Sequence, residues 1–367
     1  MSPIATTTAV TRYGATRADV DSVIAELGEP RYRGDQVWRG LYTELLDPQA
    51  MTNLPAALRG EIDARLPLAL RPLTESVSED GGTVKFLARV DGGFDVETVL
   101  MLYPDRATAC VSSQAGCAMG CGFCATGQAG FDRHLTTGEI VEQAVLVAAR
   151  ARALGRRMSN VVFMGMGEPL ANEPAVWPAV ERLHDDLGLS ARHVTISTVG
   201  LVPGIRRLTE RPLPVTLAVS LHAANDRLRD ELVPINRRYP LDALVAACQD
   251  DLDARGRRIS FEWAMIDGVN DRPGDAVELA ALARRLRPAA HINLIPLNPT
   301  PGWPTNGSPP ERVRAFRDQL ATLGARATIR RNRGTDIDAA CGQLAARQQK
   351  AQPVLLSSPL RARTSTG

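Results

Sequence analysis

The chain has 367 residues, 44% of them hydrophobic, and its 43 Lys and Arg against 41 Asp and Glu leave a net charge of +2. That length holds one large domain with an appendage or two domains, and the near-neutral charge excludes a globally basic nucleic-acid binder. No apolar run approaches the roughly 20 residues of a membrane span, the first ten residues lack a signal peptide's features, and six cysteines, three of them clustered, point to a reducing cytoplasm.

Residues 17 to 70 read as helical. A-D-V-D-S-V-I-A-E-L-G stops at Gly28, and Val37, Trp38, Leu41 and Tyr42 recur at helical spacing after Pro30. The two helices, joined by the turn G-E-P-R-Y-R-G, predict a small accessory module over 1–75 with Trp38 in its core. Over 76–107 the period changes to that of strands. T-V-K-F-L-A-R-V and G-G-F-D-V-E-T-V-L-M-L-Y predict a hairpin that turns at Asp91-Gly92-Gly93.

From Thr108 apolar strands alternate with helices. Strands are expected at Thr108–Ser112, Asn160–Met164, His193–Ser197, Val215–Ser220, Ile259–Met265 and Ile292–Ile295, with an edge addition at Ala327–Arg331. Helices are expected at Gly138–Leu154, Pro174–Leu187, Leu241–Ala254 and Asp275–Leu286. Six β-α alternations predict an α/β fold whose parallel sheet curls into a partial (β/α)6 barrel over 108–345. Residues 346–367 are polar and low in aromatics, which predicts a disordered tail.

Within the first of these units stands C-A-M-G-C-G-F-C. Cys117, Cys121 and Cys124 have the spacing C-x3-C-x2-C, and no fourth cysteine follows nearby. A [4Fe–4S] cube normally takes four thiolates, so three leave one iron open for a ligand. Structural zinc sites usually close all four positions. The competing zinc reading recruits His134, ten residues past Cys124, as fourth ligand. Gly116, Gly120 and Gly122 argue against buried core cysteines, because they suit a loop wrapped around an object. The triplet resembles the signature of radical S-adenosylmethionine (SAM) enzymes, in which the amine and carboxylate of SAM chelate the open iron.

Chemistry in (β/α) barrels gathers at the C-terminal ends of strands, and the informative polar residues of this chain fall there. G-M-G-E-P, with Gly167 and Glu168, follows the second strand; its glycines let backbone approach a ligand, and Glu168 can accept from a cationic amine. Ser197 ends the third strand, Ser220-Leu221-His222 the fourth, and Asn298 follows the sixth. These residues are expected to line the SAM pocket.

Over residues 17 to 345 the chain resembles the RlmN/Cfr family of radical SAM RNA methyltransferases. The strings that carry the resemblance are C-V-S-S-Q-A-G-C-A-M-G-C-G-F-C-A-T-G, V-V-F-M-G-M-G-E-P-L-A-N, S-L-H-A-A-N-D and R-G-x-D-I-D-A-A-C-G-Q-L. The stretch G-E-P-x-Y-R-x-x-Q-x-W-x-x-L-Y places it nearest the RlmN branch; Thr335, where the family often has Asp, is a mild departure. The resemblance implies one [4Fe–4S] cluster on Cys117, Cys121 and Cys124, two SAM molecules per turnover, and methylation of C2 of an adenosine in 23S rRNA and of one beside the anticodon in tRNA. It further implies that Cys341 becomes S-methylcysteine, that Cys110 resolves a protein–RNA intermediate by forming a disulfide with Cys341, and that Glu97 accepts a proton. Whether Glu97 or Cys110 removes the C2 proton stays open. A one-electron donor such as flavodoxin, a monomeric state and a cytoplasmic location are the accompanying expectations.

The target adenine must leave its stack to meet Cys341, with recognition through phosphates and RNA shape. Arg330, Arg331 and Arg333 are candidate phosphate contacts, as is the N-terminal module, and Cys248 in A-L-V-A-A-C reads as core. Three alternatives compete: Cfr-like methylation at C8, a radical SAM enzyme acting on a small molecule, and a zinc-stabilised RNA-binding module without catalysis. The small-molecule reading gives Cys110 and Cys341 no joint task.

Overall fold

The computed structural model describes residues 10–300 and 302–344, so the tail expected at 346–367 lies outside them. The chain begins with three helices, α1 (Arg17–Glu26), α2 (Tyr32–Tyr42) and α3 (Ala56–Arg65). Thr16 and Asp19 form a reciprocal capping box that starts α1. Val20, Ile24, Val37, Leu41, Leu58 and Ile62 bury the apolar faces of the three against one another.

Trp38 departs from its expected place. It is half-buried at the edge of the module, where its indole N–H donates to Asp186 Oδ1 at 3.2 Å. The Arg182 guanidinium lies 5.1 Å from the Trp38 ring and 5.2 Å from that of Tyr42. The tryptophan thus docks the module on the barrel; its spacing marked an apolar face but not which neighbour covers it.

Strands β1 (Arg71–Val77), β2 (Thr83–Arg89) and β3 (Asp95–Leu102) form an antiparallel meander, and β2 and β3 turn at Asp91-Gly92-Gly93 as expected. The extra strand β1 carries no strict alternation, which hid it in the sequence. Next come β4 (Ala107–Cys110), β5 (Gln114–Gly116), α4 (Ala125–Ala129) and β6 (Phe131–His134). The alternation then runs through α5 (Thr137–Ala153), β7 (Met158–Phe163), α6 (Glu173–Asp185), β8 (Val194–Thr198), α7 (Val202–Thr209) and β9 (Thr216–Ser220). It finishes with α8 (Asp226–Leu232), α9 (Leu241–Arg255), β10 (Ser260–Met265), α10 (Pro273–Ala283), β11 (His291–Pro296), α11 (Pro310–Thr322) and β12 (Ala327–Ile329).

Ten strands form one sheet in the order β1-β2-β3-β4-β7-β8-β9-β10-β11-β12, parallel from β4 to β12 and antiparallel from β1 to β4. β1 and β12 remain the two edges, so the parallel run is an open, partial barrel. The expected hairpin is therefore continuous with the barrel sheet. The core runs between this sheet and its helices, with Val161, Phe163, Ile196, Leu217, Phe261, Trp263 and Leu294 all buried. Cys248 is fully buried there, as read from the sequence. Helix α11 was not among the expected helices; Val313, Phe316 and Leu320 bury one of its faces. Among the described residues no helix is long and apolar enough to cross a membrane.

Candidate active site

The cysteine loop is held at its base. β5 and β6 pair antiparallel and clasp residues 117–130 between them, and Cys117 N–H donates to Gly130 O at 2.6 Å. Gly116 has φ +73°, and a Cβ there would lie 2.1 Å from Gly130 O, so only glycine allows the closure. Cys124 precedes α4, whose Gln128 side chain donates back to Gly122 O.

Cys117, Cys121 and Cys124 all face one cleft of about 1070 Å³, counting its open mouth. Burial pushes the Cys117 thiol up to about 12 and raises that of Cys121 as well; such thiols ionise on meeting a metal. Thiolates are the donors of iron–sulfur clusters, and three of them stand together at this cleft. His134, the fourth ligand of the zinc reading, is exposed on β6 with Nδ1 3.1 Å from Gln114 Nε2.

The opposite wall is built from strand ends. Gly167 has φ +99°, and a Cβ there would meet the Gln114 side chain at 2.5 Å. Glu168 is buried, and its two oxygens accept from Leu170 N–H at 3.0 Å and Val199 N–H at 2.8 Å. Burial nevertheless lifts its carboxyl to about 7. The Ser197 and Ser220 hydroxyls lie 3.3 Å apart across β8 and β9.

His222 sits at φ +60°, an unusual conformation for a residue with a side chain. Asn270 Nδ2 donates to its carbonyl at 2.8 Å, and its ring Nδ1 accepts from Ala264 N–H at 3.0 Å. An accepting Nδ1 leaves the proton on Nε2. Burial, aided by the Arg229 charge, pushes the ring's pKa down to about 3, so His222 is a neutral donor.

Arg229 is completely buried beneath these strand ends. It donates to Leu221 O at 3.1 Å, Val199 O at 2.6 Å and Asn236 Oδ1 at 2.7 Å. Its position fixes the loops after β8 and β9. Leu221 itself contributes backbone, its side chain lying in the core.

Cys341 is exposed and lines the same cleft as the cysteine triplet. Two bonds join its loop to the triplet's helix, Ala125 N–H to Gly342 O at 2.8 Å and the Thr126 hydroxyl to Leu344 O. Asn298 stands behind the cleft wall, its Nδ2 donating to Cys341 O at 3.1 Å and its Oδ1 accepting from Asn332 at 2.7 Å. Cys110, at the end of β4, is buried among Val99, Met166, Ala339 and Leu344. Burial pushes its thiol up to about 12, and the neighbouring Cys341 sulfur adds to the rise.

Glu97 lies on β3 with its carboxylate buried 3.0 Å from Lys85 Nζ, which also donates to Asp338 O at 3.3 Å. It does not line the cleft, and it is buried. Arg330 points inward: it lines the cleft and reaches Glu262 Oε2 at 3.3 Å. Burial works against its charge, but Cys341 and Glu262 outweigh that and raise its pKa. Glu262 and Lys85 were missed; a charge inside F-E-W-A-M and T-V-K-F-L was the available signal.

Known proteins resemble this chain over most of its length. Residues 111–280 match the family model described as the Radical SAM superfamily. A relative from Chloroflexus aurantiacus, named probable dual-specificity RNA methyltransferase RlmN, is 49% identical over 348 residues, 91% of this chain and 92% of that protein. One of the same name from Salinispora tropica is 52% identical over 337 residues, 89% of this chain and 90% of the relative. The crystal structure of a radical SAM methyltransferase from Sphaerobacter thermophilus superposes with a TM-score of 0.88 at 50% identity, over 92% of this chain and all of that one.

Proposed function

This chain belongs to the RlmN family of radical SAM RNA methyltransferases, and from that premise we propose that it methylates C2 of one adenosine in 23S rRNA and of one beside the anticodon in tRNA. The observation that carries the proposal is the meeting of Cys341 with the cysteine triplet in one cleft, with Cys110 buried alongside. Membership of the family implies a [4Fe–4S] cluster and SAM.

In this reading Cys117, Cys121 and Cys124 hold the cluster, and Glu168 accepts from the amine of SAM. Gly167, Ser197, Ser220, the Leu221 backbone, His222 Nε2–H and Asn298 complete the cofactor's surroundings. When bound, cluster and SAM supply a one-electron cleavage that yields a primary carbon radical, the electron coming from a donor such as flavodoxin. Adenine C2 is electron-poor, so a carbon radical can add where an ordinary nucleophilic methyl transfer cannot.

Cys341 would first take the methyl group of one SAM as S-methylcysteine; that carbon would give one hydrogen atom to the primary carbon radical and bond to C2, and the unpaired electron left on the ring would return to the one-electron couple that supplied it, leaving a protein–RNA thioether once the C2 proton departs. Glu97 takes the C2 proton, for which it must exchange Lys85 for the substrate. The Cys110 sulfur then attacks the Cys341 sulfur. The S–S bond forms as the C–S bond breaks, its electron pair goes to the departing carbon, and a proton completes the methyl group. Arg330 is the cation placed beside both sulfurs during this exchange. The chain acts as a monomer in this scheme.

The test is nucleoside mass spectrometry of unmodified 23S rRNA and tRNA transcripts treated with the reconstituted chain, SAM and reductant. 2-Methyladenosine is expected in both, and 8-methyladenosine alone would overturn the C2 assignment. Cys341→Ala is expected to abolish methylation with iron content intact. Cys110→Ala is expected to leave the RNA covalently attached on a denaturing gel, and an absence of adduct removes Cys110 from the resolving role.

A further inference from the structure

Tyr103, in the turn between β3 and β4, has two arginines against its ring. The Arg106 guanidinium carbon lies 4.1 Å from the ring centroid and that of Arg333 lies 4.3 Å from it. The first arrives from within the turn, where Tyr103 N–H donates to Arg106 O at 2.8 Å. The second arrives from the segment after β12 and is anchored by Nη1 to Leu102 O at 2.9 Å. Residues up to 231 positions apart in sequence are thus locked together where the free edge of the parallel run returns towards the meander.

The stack is continuous with the cleft. Arg330, which lines the cleft beside Cys341, is close enough to Tyr103 for the two to influence each other. Arg331 is exposed next to them. Glu262, buried, pairs with Arg330 inside the cleft; at the stack itself Asp105 is 3.1 Å from Arg106, and Asp80 feels the charges of Arg333 and Arg331. Asp105 is 73% exposed, and ion pairs of that kind contribute little and exchange readily with another anion.

Stacking holds a guanidinium by its face; Arg333 commits Nη1 to Leu102 O, and the remaining N–H groups of such an arginine match phosphate oxygens. The chain has two lysines, and of these Lys85 is buried in the Glu97 pair. Phosphate contacts by this face therefore fall to arginine. Built on the RNA-methylating reading above, the geometry points to the Arg106–Tyr103–Arg333 stack as a clamp for a phosphodiester of the substrate RNA strand, where that strand leaves the cleft through the open side of the barrel. The clamp positions the strand by its backbone and is indifferent to base sequence.

The experiment uses the full reconstituted chain and unmodified 23S rRNA transcript, with dissociation constants measured by filter binding across a range of KCl concentrations. Each phosphate contact to a single strand contributes about 0.7 to the slope of log affinity against log salt. The Arg106→Gln/Arg333→Gln double variant is expected to lower that slope by about 1.4, and Arg106→Gln alone, at the exposed member, by about half as much. Tyr103→Ala is expected to lower the slope as well, whereas Tyr103→Phe keeps the ring and retains it. Iron content and thermal midpoint serve as controls for folding. Variants that bind with unchanged affinity and slope, while the wild type forms 2-methyladenosine, overturn the clamp and leave the function standing. A wild type that makes no 2-methyladenosine overturns the function instead, and the variants' salt slopes still decide the clamp.

Discussion

Lys85 and Glu97, on the adjacent antiparallel strands β2 and β3, form an ion pair of 3.0 Å with side chains only 7% and 3% exposed. In the register Lys85 lies opposite Val99 and Leu87 opposite Glu97, so the two are diagonal neighbours on one face of the sheet. The ammonium also donates to Asp338 O in the segment that carries Cys341. One buried cation thereby joins the proposed proton acceptor to the methyl-carrying loop.

Taking away one partner strands a charge out of water. Lys85→Met is expected to cost about 3–5 kcal/mol of stability, because Glu97 is left buried without its cation. The double variant Lys85→Met/Glu97→Gln should recover much of that loss. Urea unfolding of the wild type, both single variants and the double variant measures the coupling, and additive effects would show the pair to be independent.

Gly116 controls how the cysteine loop closes. In Gly116→Ala the new methyl would meet Gly130 O at 2.1 Å with φ held at +73°, and backbone on both sides gives it little room to yield. The β5–β6 clasp is expected to open, lowering the iron bound after reconstitution while far-UV circular dichroism stays close to wild type. Full iron content in this variant would detach the clasp from cluster assembly.

Glu142 makes stability depend on pH. It lies on α5 with its oxygens accepting from Ala69 N–H at 2.8 Å and Leu70 N–H at 3.0 Å, where burial lifts its carboxyl from 4.5 to about 7. The folded chain therefore holds a proton that the unfolded chain releases above pH 4.5. Its contribution is complete below that value and is lost as pH rises to about 7, an amount of about 3 kcal/mol at about 1.4 kcal/mol per pH unit. Compared with Glu142→Gln, the wild type should lose stability between pH 5 and 7 and change no further above it. Parallel pH profiles for the two proteins in urea titrations would refute this assignment.

The site was legible in the sequence where its logic is local. The cysteine triplet is defined by spacing inside eight residues, and Gly167, Glu168, Ser197, Ser220 and His222 announce themselves as polar residues that end apolar strands. All of these face the cleft. Side chains whose task depends on a distant partner were not legible. Arg330 reads as one of three basic surface residues, yet Glu262 draws it inward while Arg331 stays exposed and Arg333 turns to Tyr103. Asn298 reads as a wall residue, and the structure spends its amide on Cys341 O and Asn332.

By itself the sequence determined the alternation of strands and helices, and with it the end of the barrel where reactive groups collect, because period and strand polarity are properties of neighbouring residues. It also determined that three thiols share one short loop. Only the tertiary structure decided that Cys341 reaches that loop, that Lys85 neutralises Glu97, and that Trp38 serves an interface. Those depend on the path of residues 330–344 across the open side of the sheet, where contacts more than 200 positions apart, such as Thr126 with Leu344 and Lys85 with Asp338, close the site.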